Sequence, residues 1–222
     1  MRPALSPEQL KTVYRHLARR YDLQHALITA RSDQRGRKLL VDATVKPGDR
    51  VLDCGAGTGT TGIMAARKVG RQGRVVLFDL SEAMLAEARR KIAAAGLQSR
   101  IGFQAGDMVH LPYRDGSFDV VLSSYSLCPL YDPVAGALEL YRVTRPGGRL
   151  GIAHSSEPDA PWVKVLATAI EAVAWRLPWL SMGCRPVNVL PALKQAGARV
   201  VLSKKIGVPL WPFAVLVLEK PV

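Results

Sequence analysis

Three carboxylates, each standing at the end of a short apolar run, carry the chemical signal of this 222-residue chain. Asp53 closes the run Val51-Leu52 and leads into Cys54-Gly55-Ala56-Gly57-Thr58-Gly59-Thr60, three alternate glycines that pass into a helical pattern. Asp79 ends Val75-Val76-Leu77-Phe78, and Asp107 follows another strand-like run in Gly106-Asp107-Met108. Glycines belong where a backbone turns sharply and comes close to a ligand, because a Cβ would block the approach. A carboxylate about twenty residues beyond such a loop is where a ribose hydroxyl would be held. The pattern describes a site for a nucleoside-bearing cofactor.

Gly57-Thr58-Gly59-Thr60-Thr61-Gly62 also satisfies the dinucleotide fingerprint, in which a helix N-terminus receives a pyrophosphate. Asp53 argues against that ligand, since a carboxylate directly before the glycines would repel a pyrophosphate. It would instead hold an ammonium group through ordered water. Asp107 gives the second distinction: its carboxylate could accept an adenine amino group while Met108 covers the ring, and a dehydrogenase has no particular use for it. The cofactor expected is S-adenosyl-L-methionine. Gly55, Ala56, Gly57, Thr58 and Gly59 would cradle it, Asp79, Leu80 and Met84 would flank its sugar, and Gly106, Asp107 and Met108 would flank its base. Ser123, at the tip of a fourth strand-like run, completes the cofactor set read from the core.

The series resembles the class I S-adenosylmethionine-dependent methyltransferases, and the resemblance continues through Leu111–Asp119 and Arg145-Pro146-Gly147-Gly148-Arg149-Leu150. Tyr21-Asp22, the following stretch 33–49 and its Lys46-Pro47-Gly48-Asp49 turn resemble the ubiquinone/menaquinone-biosynthesis C-methyltransferase family, in which the tyrosine lies over the cofactor. The resemblance implies an α/β, Rossmann-like class I methyltransferase fold: a mostly parallel seven-stranded sheet with helices on both faces and an antiparallel closing strand. It also implies methyl transfer to a lipophilic small molecule, with C-methylation of a quinol-like compound ahead of a phospholipid amine or a thiol. Two places depart from the family pattern. Its Arg-Asn pair after the fourth strand is replaced by Ser126-Leu127-Cys128-Pro129-Leu130-Tyr131-Asp132-Pro133, and a glutamate of the pattern is replaced by His154. The Leu127-Cys128 loop and Gly183-Cys184-Arg185 look more like broader lipid- and thiol-directed relatives.

The elements that must position these residues follow from periodicity. From Arg50 onward strand-like runs alternate with helical segments, the signature of a parallel sheet covered on both faces. Runs begin near Arg50, Arg74, Ile101, Phe118 and Arg149, with helices near Thr60–Val69, Glu82–Ala95 and Pro133–Val143. Ligands bind beyond the carboxyl ends of such strands, so Gly55, Asp79, Asp107, Ser123 and His154 are expected on one rim. Ser6-Pro7-Glu8-Gln9 starts an amphipathic helix in which Leu10, Val13, Tyr14, Leu17 and Tyr21 share a stripe, with Tyr14 read as a core aromatic. Residues 160–180 form a tryptophan-rich helix, with Trp162, Leu166, Ile170, Val173 and Leu177 near one face and Trp175 and Trp179 about its end. Arg199–Lys204 and Trp211–Leu218 read as a closing strand pair. The chain is one domain: an N-terminal helical lid (1–49), a cofactor core (50–158), an acceptor-side helical insertion (159–197) and closing strands (198–222).

Methyl transfer needs a base only if the acceptor must lose a proton. His154, ending Gly151-Ile152-Ala153, is the candidate, and Tyr125 is expected to line the acceptor space. No His or Cys cluster suggests a metal. Cys54, Cys128 and Cys184 lack the spacing of a disulfide framework and read as free thiols. With no signal-peptide core at the N-terminus, a cytoplasmic location is expected.

The net charge is +13. Residues 1–50 hold eleven basic against five acidic side chains, residues 51–159 twelve against eleven, and residues 160–222 eight against two. Both flanks of a nearly neutral core are therefore basic. Two readings stand: peripheral contact with an anionic membrane surface, or a solvated basic surface. Nucleic acid is disfavoured, because Ser123-Ser124-Tyr125-Ser126 is not the Asn/Asp-Pro-Pro-aromatic motif that holds a flipped base. A non-catalytic scaffold remains as a third class. The oligomeric state is not legible.

Overall fold

The structure is a computed structural model that describes residues 4–29, 32–174 and 184–222. Trp175, Leu177, Trp179 and Gly183, named above, lie outside the described residues.

The apolar runs become strands because both faces are covered. β1 (Arg50–Cys54) is buried at every residue after Arg50, as a continuous apolar run in a two-sided sheet requires. With β2 (Arg74–Asp79), β3 (Ile101–Ala105), β4 (Phe118–Ser124), β5 (Thr144–Ser155), β6 (Arg199–Val208) and β7 (Trp211–Glu219) it makes one seven-stranded sheet in the order β3-β2-β1-β4-β5-β7-β6. β1 pairs in parallel with β2 and β4, β2 with β3, and β4 with β5, while β7 runs antiparallel to both β5 and β6.

Alternate side chains along each strand feed opposite faces. Val51, Leu77, Leu122 and Val215 join one cluster with Leu40, Ala66 and Leu85. Leu52, Phe78, Val121 and Leu216 join the other with Leu140 and Leu193. The first face is covered by α3 (Ser32–Thr44), α4 (Thr60–Val69) and α5 (Glu82–Ala94), the second by α6 (Pro133–Val143) and α8 (Leu190–Gln195). Strand order reverses between β1 and β4, so the connections leaving these strands diverge and open a crevice at their carboxyl ends.

Capping sets the helix starts. The Ser6 hydroxyl accepts from the Gln9 amide and the Gln9 side chain reaches back to Ser6, opening α1 (Pro7–Leu17). Ser81 caps α5 and Asp132 caps α6 ahead of Pro133. α4 begins at Gly59 (φ 79°) with no side-chain cap.

Three boundaries differ from the periodicity. The N-terminal stripe is divided between two helices: α1 ends at Leu17, a turn follows, and Tyr21 opens α2 (Tyr21–Ile28). β5 begins at Thr144 rather than Arg149 because Thr144 pairs with Phe118, with a register shift before Val120. β6 runs on to Val208, paired with β7 throughout apart from one register shift. The tryptophan-rich segment is described as α7 (Pro161–Ala174).

Gly36 lies within α3, where a Cβ would collide with the Tyr125 hydroxyl and come within 3.1 Å of Ile206 Cδ1. Alanine would favour the helix by roughly 0.5–1 kcal/mol, but overpacking at a buried contact costs about 1–3 kcal/mol. Gly36→Ala is therefore expected to lower unfolding stability in a urea titration. Adding Tyr125→Phe, which removes the colliding oxygen, should recover part of the loss; additive effects of the two changes would contradict the contact.

Candidate active site

The glycine loop is fastened to the tip of β2. Gly55 N and Ala56 N donate to the Phe78 carbonyl at 2.7 and 3.1 Å. Gly57 N donates to Asp79 Oδ2 at 2.7 Å, and Ser81 N donates to Asp79 Oδ1 at 2.8 Å. Gly55 has φ 68°, and a Cβ there would lie 2.5 Å from Ser126 Oγ, so both conformation and space demand glycine. Burial pushes the Asp79 carboxyl above its ordinary range, and the two amides pull it back. Each oxygen retains a second lone pair for a ligand hydroxyl.

These residues line one cavity. Gly55, Ala56, Gly57 and Thr58 form one part of its wall, Asp79, Leu80 and Met84 another, and Gly106, Asp107 and Met108 a third. Asp107 Oδ1 accepts from Val109 N at 3.1 Å and Oδ2 accepts from the Tyr131 hydroxyl at 2.9 Å. A Cβ on Gly106 would lie 2.5 Å from Phe78 Cζ, so the base-side turn rests on that ring.

The lid supplies Leu10, Lys11, Tyr14 and Tyr21. The two tyrosine rings meet edge to face at 6.0 Å, and burial raises both hydroxyls above the usual phenol range. Tyr14, expected as a core aromatic, is a cavity residue. α2 is fastened by Asp22, which accepts from Lys91 Nζ and Thr58 Oγ1, both at 2.6 Å. Burial opposes the charged form of Asp22, but these hydrogen bonds and the Lys91 charge outweigh it and lower its pKa.

Beneath the loop lies a charged floor absent from the sequence expectations. Arg37, 5 % exposed, extends from α3 to the cavity, donating to Ser124 Oγ at 2.9 Å and Thr61 Oγ1 at 3.1 Å. Its Nε is 3.6 Å from Asp33 Oδ2, and its guanidinium lies over the Tyr125 ring at 5.1 Å. Asp53 is fully buried under the loop rather than in the cavity lining, and among the described residues neither carboxylate oxygen has a hydrogen-bond partner. Burial pushes its pKa to about 7, against the pull of Arg37 and the Gly62 amide.

The remaining predicted residues are distributed differently. Tyr125 lines the cavity and, among the described residues, is the one non-glycine residue with positive φ, 61°. Its hydroxyl donates to Asp33 O at 3.4 Å, and burial raises it above the usual range. Ser123 does not line the cavity; its hydroxyl pairs at 2.6 Å with that of Ser126, which does. His154 ends β5 as expected but is buried outside the cavity lining. Its Nδ1 is 2.9 Å from Ser155 O, its Nε2 has no partner among the described residues, and burial lowers its pKa, favouring the neutral ring. Ser124, Ser126, Pro129 and Leu130, from β4 and the loop after it, complete that wall.

The cavity fits the expected cofactor. Asp53 leaves two buried acceptors unsatisfied under the loop, the Gly55 cradle is one a Cβ would fill, and Arg37 offers a fixed positive charge at the cavity edge. Asp79 and Arg37 at the cavity wall would suit the sugar and the carboxylate of an amino-acid-bearing nucleoside, and Asp53 beneath the loop would suit its ammonium through water.

Comparison with known proteins agrees. Residues 3–178 match the model of the ubiE/COQ5 methyltransferase family. A demethylmenaquinone methyltransferase of Beutenbergia cavernae is 40% identical over 157 residues, which are 70% of this chain and 61% of that protein. The ubiquinone/menaquinone biosynthesis C-methyltransferase UbiE of Xanthomonas oryzae pv. oryzae is 37% identical over 153 residues, 68% of this chain and 60% of that protein. The matched segment thus spans about three fifths of these relatives. Among solved structures, a SAM-dependent methyltransferase from Aquifex aeolicus aligns with a TM-score of 0.59 at 24% identity, covering 82% of this chain and 88% of that one, a likeness of fold.

Asp53 yields a prediction without any ligand. An acid whose folded pKa is raised from 3.8 to about 7 holds its proton in the native state while the unfolded chain releases it. Stability attributable to Asp53 is therefore complete below about pH 4 and lost as pH rises to about 7. Asp53→Asn should flatten the pH 4–8 stability profile and raise stability at pH 8 by roughly 2–4 kcal/mol. A variant as pH-dependent as the parent in urea titrations would show that Arg37 already neutralises the carboxylate.

Proposed function

Because the chain belongs to the ubiE/COQ5 methyltransferase family, we propose that it transfers a methyl group from S-adenosylmethionine to a carbon of a quinol-like, lipophilic acceptor. The observation that carries this reading is one cavity walled by the glycine loop, Asp79 and Gly106–Met108 on the cofactor side and by Tyr14, Tyr21, Tyr125 and Leu130 on the other. Curated relatives covering about 70% of the chain are named for methylation in ubiquinone and menaquinone biosynthesis, which supports the acceptor class.

When bound, the cofactor supplies an electrophilic methyl group poised for in-line displacement. Asp79 would hold the sugar hydroxyls, Asp107 and Met108 the base, Asp53 the ammonium through water, and Arg37 the carboxylate. The protein's own contribution is then positioning and dryness. Tyr14 and Tyr21 close the lid side, and Pro129 and Leu130 give the far wall an apolar surface. Tyr125 keeps its proton and contributes shape and a hydrogen-bond donor. His154, neutral and outside the cavity lining, is assigned to packing, so no dedicated base is invoked. An electron-rich hydroquinone carbon needs little more than alignment.

We place the reaction at a lipid surface in the cytoplasm. α7 buries Val163 and Ala167 but leaves Trp162, Val165, Leu166 and Ile170 exposed, with Lys164 beside them. Exposed aromatics and aliphatics next to basic side chains suit a membrane interface, and the basic flanks suit anionic lipid. Among the described residues, no helix is long and apolar enough to cross a membrane.

Incubation with methyl-labelled S-adenosylmethionine and a membrane extract should place label in the organic phase, on a ring carbon of a quinone by NMR. Label on a phospholipid amine would move the acceptor to that class, and label confined to water-soluble products would overturn a lipophilic acceptor. In vesicle sedimentation, anionic liposomes should recruit the protein at low salt, with loss at high salt. Trp162→Glu with Leu166→Glu should weaken recruitment at least fivefold while leaving cofactor binding intact; unchanged recruitment would remove α7 from the interface.

A further inference from the structure

We propose that Cys128 and Cys184 form a reversible dithiol–disulfide pair that ties the segment before α8 to the loop after β4, beside the cavity. The two residues lie 56 positions apart in sequence, yet their backbones are adjacent, since Arg185 N donates to Cys128 O at 3.3 Å and the Arg185 guanidinium donates to Leu130 O at 3.0 Å. Each thiol also shifts the proton affinity of the other. Backbones joined this closely are what an S–S bond of about 2.05 Å requires.

The surroundings make one of the two sulfurs the nucleophile. Cys128 Sγ accepts from Ser155 N at 3.3 Å, and the neighbouring Cys184 thiol above all holds it below the ordinary thiol range against its burial. Cys184 is raised correspondingly, because its proton is engaged with Cys128. The pair thus shares a proton, with thiolate character at Cys128 and a partly exposed partner at Cys184. Cys54 is the internal control: it is buried, and burial with the neighbouring Asp79 and Asp53 raises its pKa, so it stays a thiol.

Cys128 is fully buried, so the oxidant must be small, and the class proposed is a peroxide. The Cys128 thiolate attacks one peroxide oxygen, the O–O bond breaks, and a sulfenic acid forms as the other oxygen leaves and is protonated to water. Cys184 then attacks the Cys128 sulfur, the S–O bond breaks, and the departing hydroxide takes the Cys184 proton as a second water. Two thiols are oxidised by two electrons and one hydrogen peroxide is reduced to two waters. Small-molecule thiols reverse the step by exchange.

The consequence is local. Pro129 and Leu130, directly after Cys128, line the cavity, and Tyr14 and Tyr21 feel the charge of both sulfurs. A disulfide would fix the spacing between this wall and the segment 184–189, now held by long hydrogen bonds such as Val187 N to Ser155 O at 3.4 Å.

The test is intact-mass and peptide mapping of the full chain after equimolar hydrogen peroxide. The expected result is loss of two hydrogens, a single 128–184 cross-link, Cys54 unmodified, and reversal by dithiothreitol. Hydrogen exchange of the 184–189 peptide should slow at least threefold in the oxidised protein. In Cys184→Ser, Cys128 should instead accumulate as a sulfenic acid trapped by dimedone. Oxidation of Cys54 ahead of the pair, sulfinic acid on Cys128 with Cys184 still reduced, or an unreactive wild-type protein would each overturn the proposal. None of these readouts depends on the identity of the methyl acceptor.

Discussion

A permanent positive charge in a dry place constrains this molecule more than any other feature. Arg37 does not lose its proton in a protein, so a guanidinium buried to 5 % exposure must be compensated where it stands. Asp33 approaches from its own helix, Thr61 and Ser124 accept from it, the Tyr125 ring lies against it, and Asp53 faces it from β1. Those partners come from α3, α4, β4 and its following turn, and β1. A single side chain therefore fixes the mutual position of the elements that meet under the glycine loop. The compensation is incomplete, since Arg37 Nε and both Asp53 oxygens lack hydrogen bonds. An environment left polar but unsatisfied is poised to gain from a ligand carrying both an ammonium and a carboxylate.

The cofactor side and the acceptor side of the cavity are built by different physics. On the cofactor side backbone amides do the work: Gly57 and Ser81 clamp Asp79, and Val109 clamps Asp107. Such contacts depend on strand register and on glycine, both of which tolerate little variation. On the acceptor side the wall is made of side chains from the N-terminal helices and from the loop after β4, where Ser126 to Pro133 stand in place of an Arg-Asn pair of the resembled family. Pro129 and Leu130 give that wall an apolar surface while the amide clamps stay in place. A fold built this way can vary its acceptor side while keeping its cofactor side.

Legibility from sequence follows the same division. The strands were readable because runs such as Val75–Phe78 are covered on both faces, and the helix starts were readable because Ser6, Ser81 and Asp132 are local signals. Asp79, Asp107 and the glycine loop were visible because each sits at a fixed offset from a strand end. Arg37 was not, because its partners lie 24 and 87 residues away and its helix gives only one more basic side chain among several. Tyr14 was misplaced for a related reason: its spacing shows that it belongs to the apolar stripe of α1, but not that the stripe borders a cavity. His154 was placed correctly at its strand end, but a strand end does not say which side of the rim a side chain serves.

The lid is attached in a way that suits exchange rather than permanence. Its first helix buries few large side chains, Leu10 and Leu17 among them. Its second is held to the glycine loop by Asp22 through Lys91 and Thr58, with the Asp22 side chain 43% exposed and Lys91 22% exposed. Ion pairs that remain in contact with water contribute about 0–1 kcal/mol, far less than the clusters that hold the sheet. Opening of the lid is therefore inexpensive compared with unfolding of the core. Yet Tyr14 and Tyr21, carried on these two helices, are the groups that shut the cavity. On the proposed reading, dryness during the reaction and release afterwards would be governed by polar contacts around Asp22, while Asp79 and Asp107 are held by backbone amides near the strand ends.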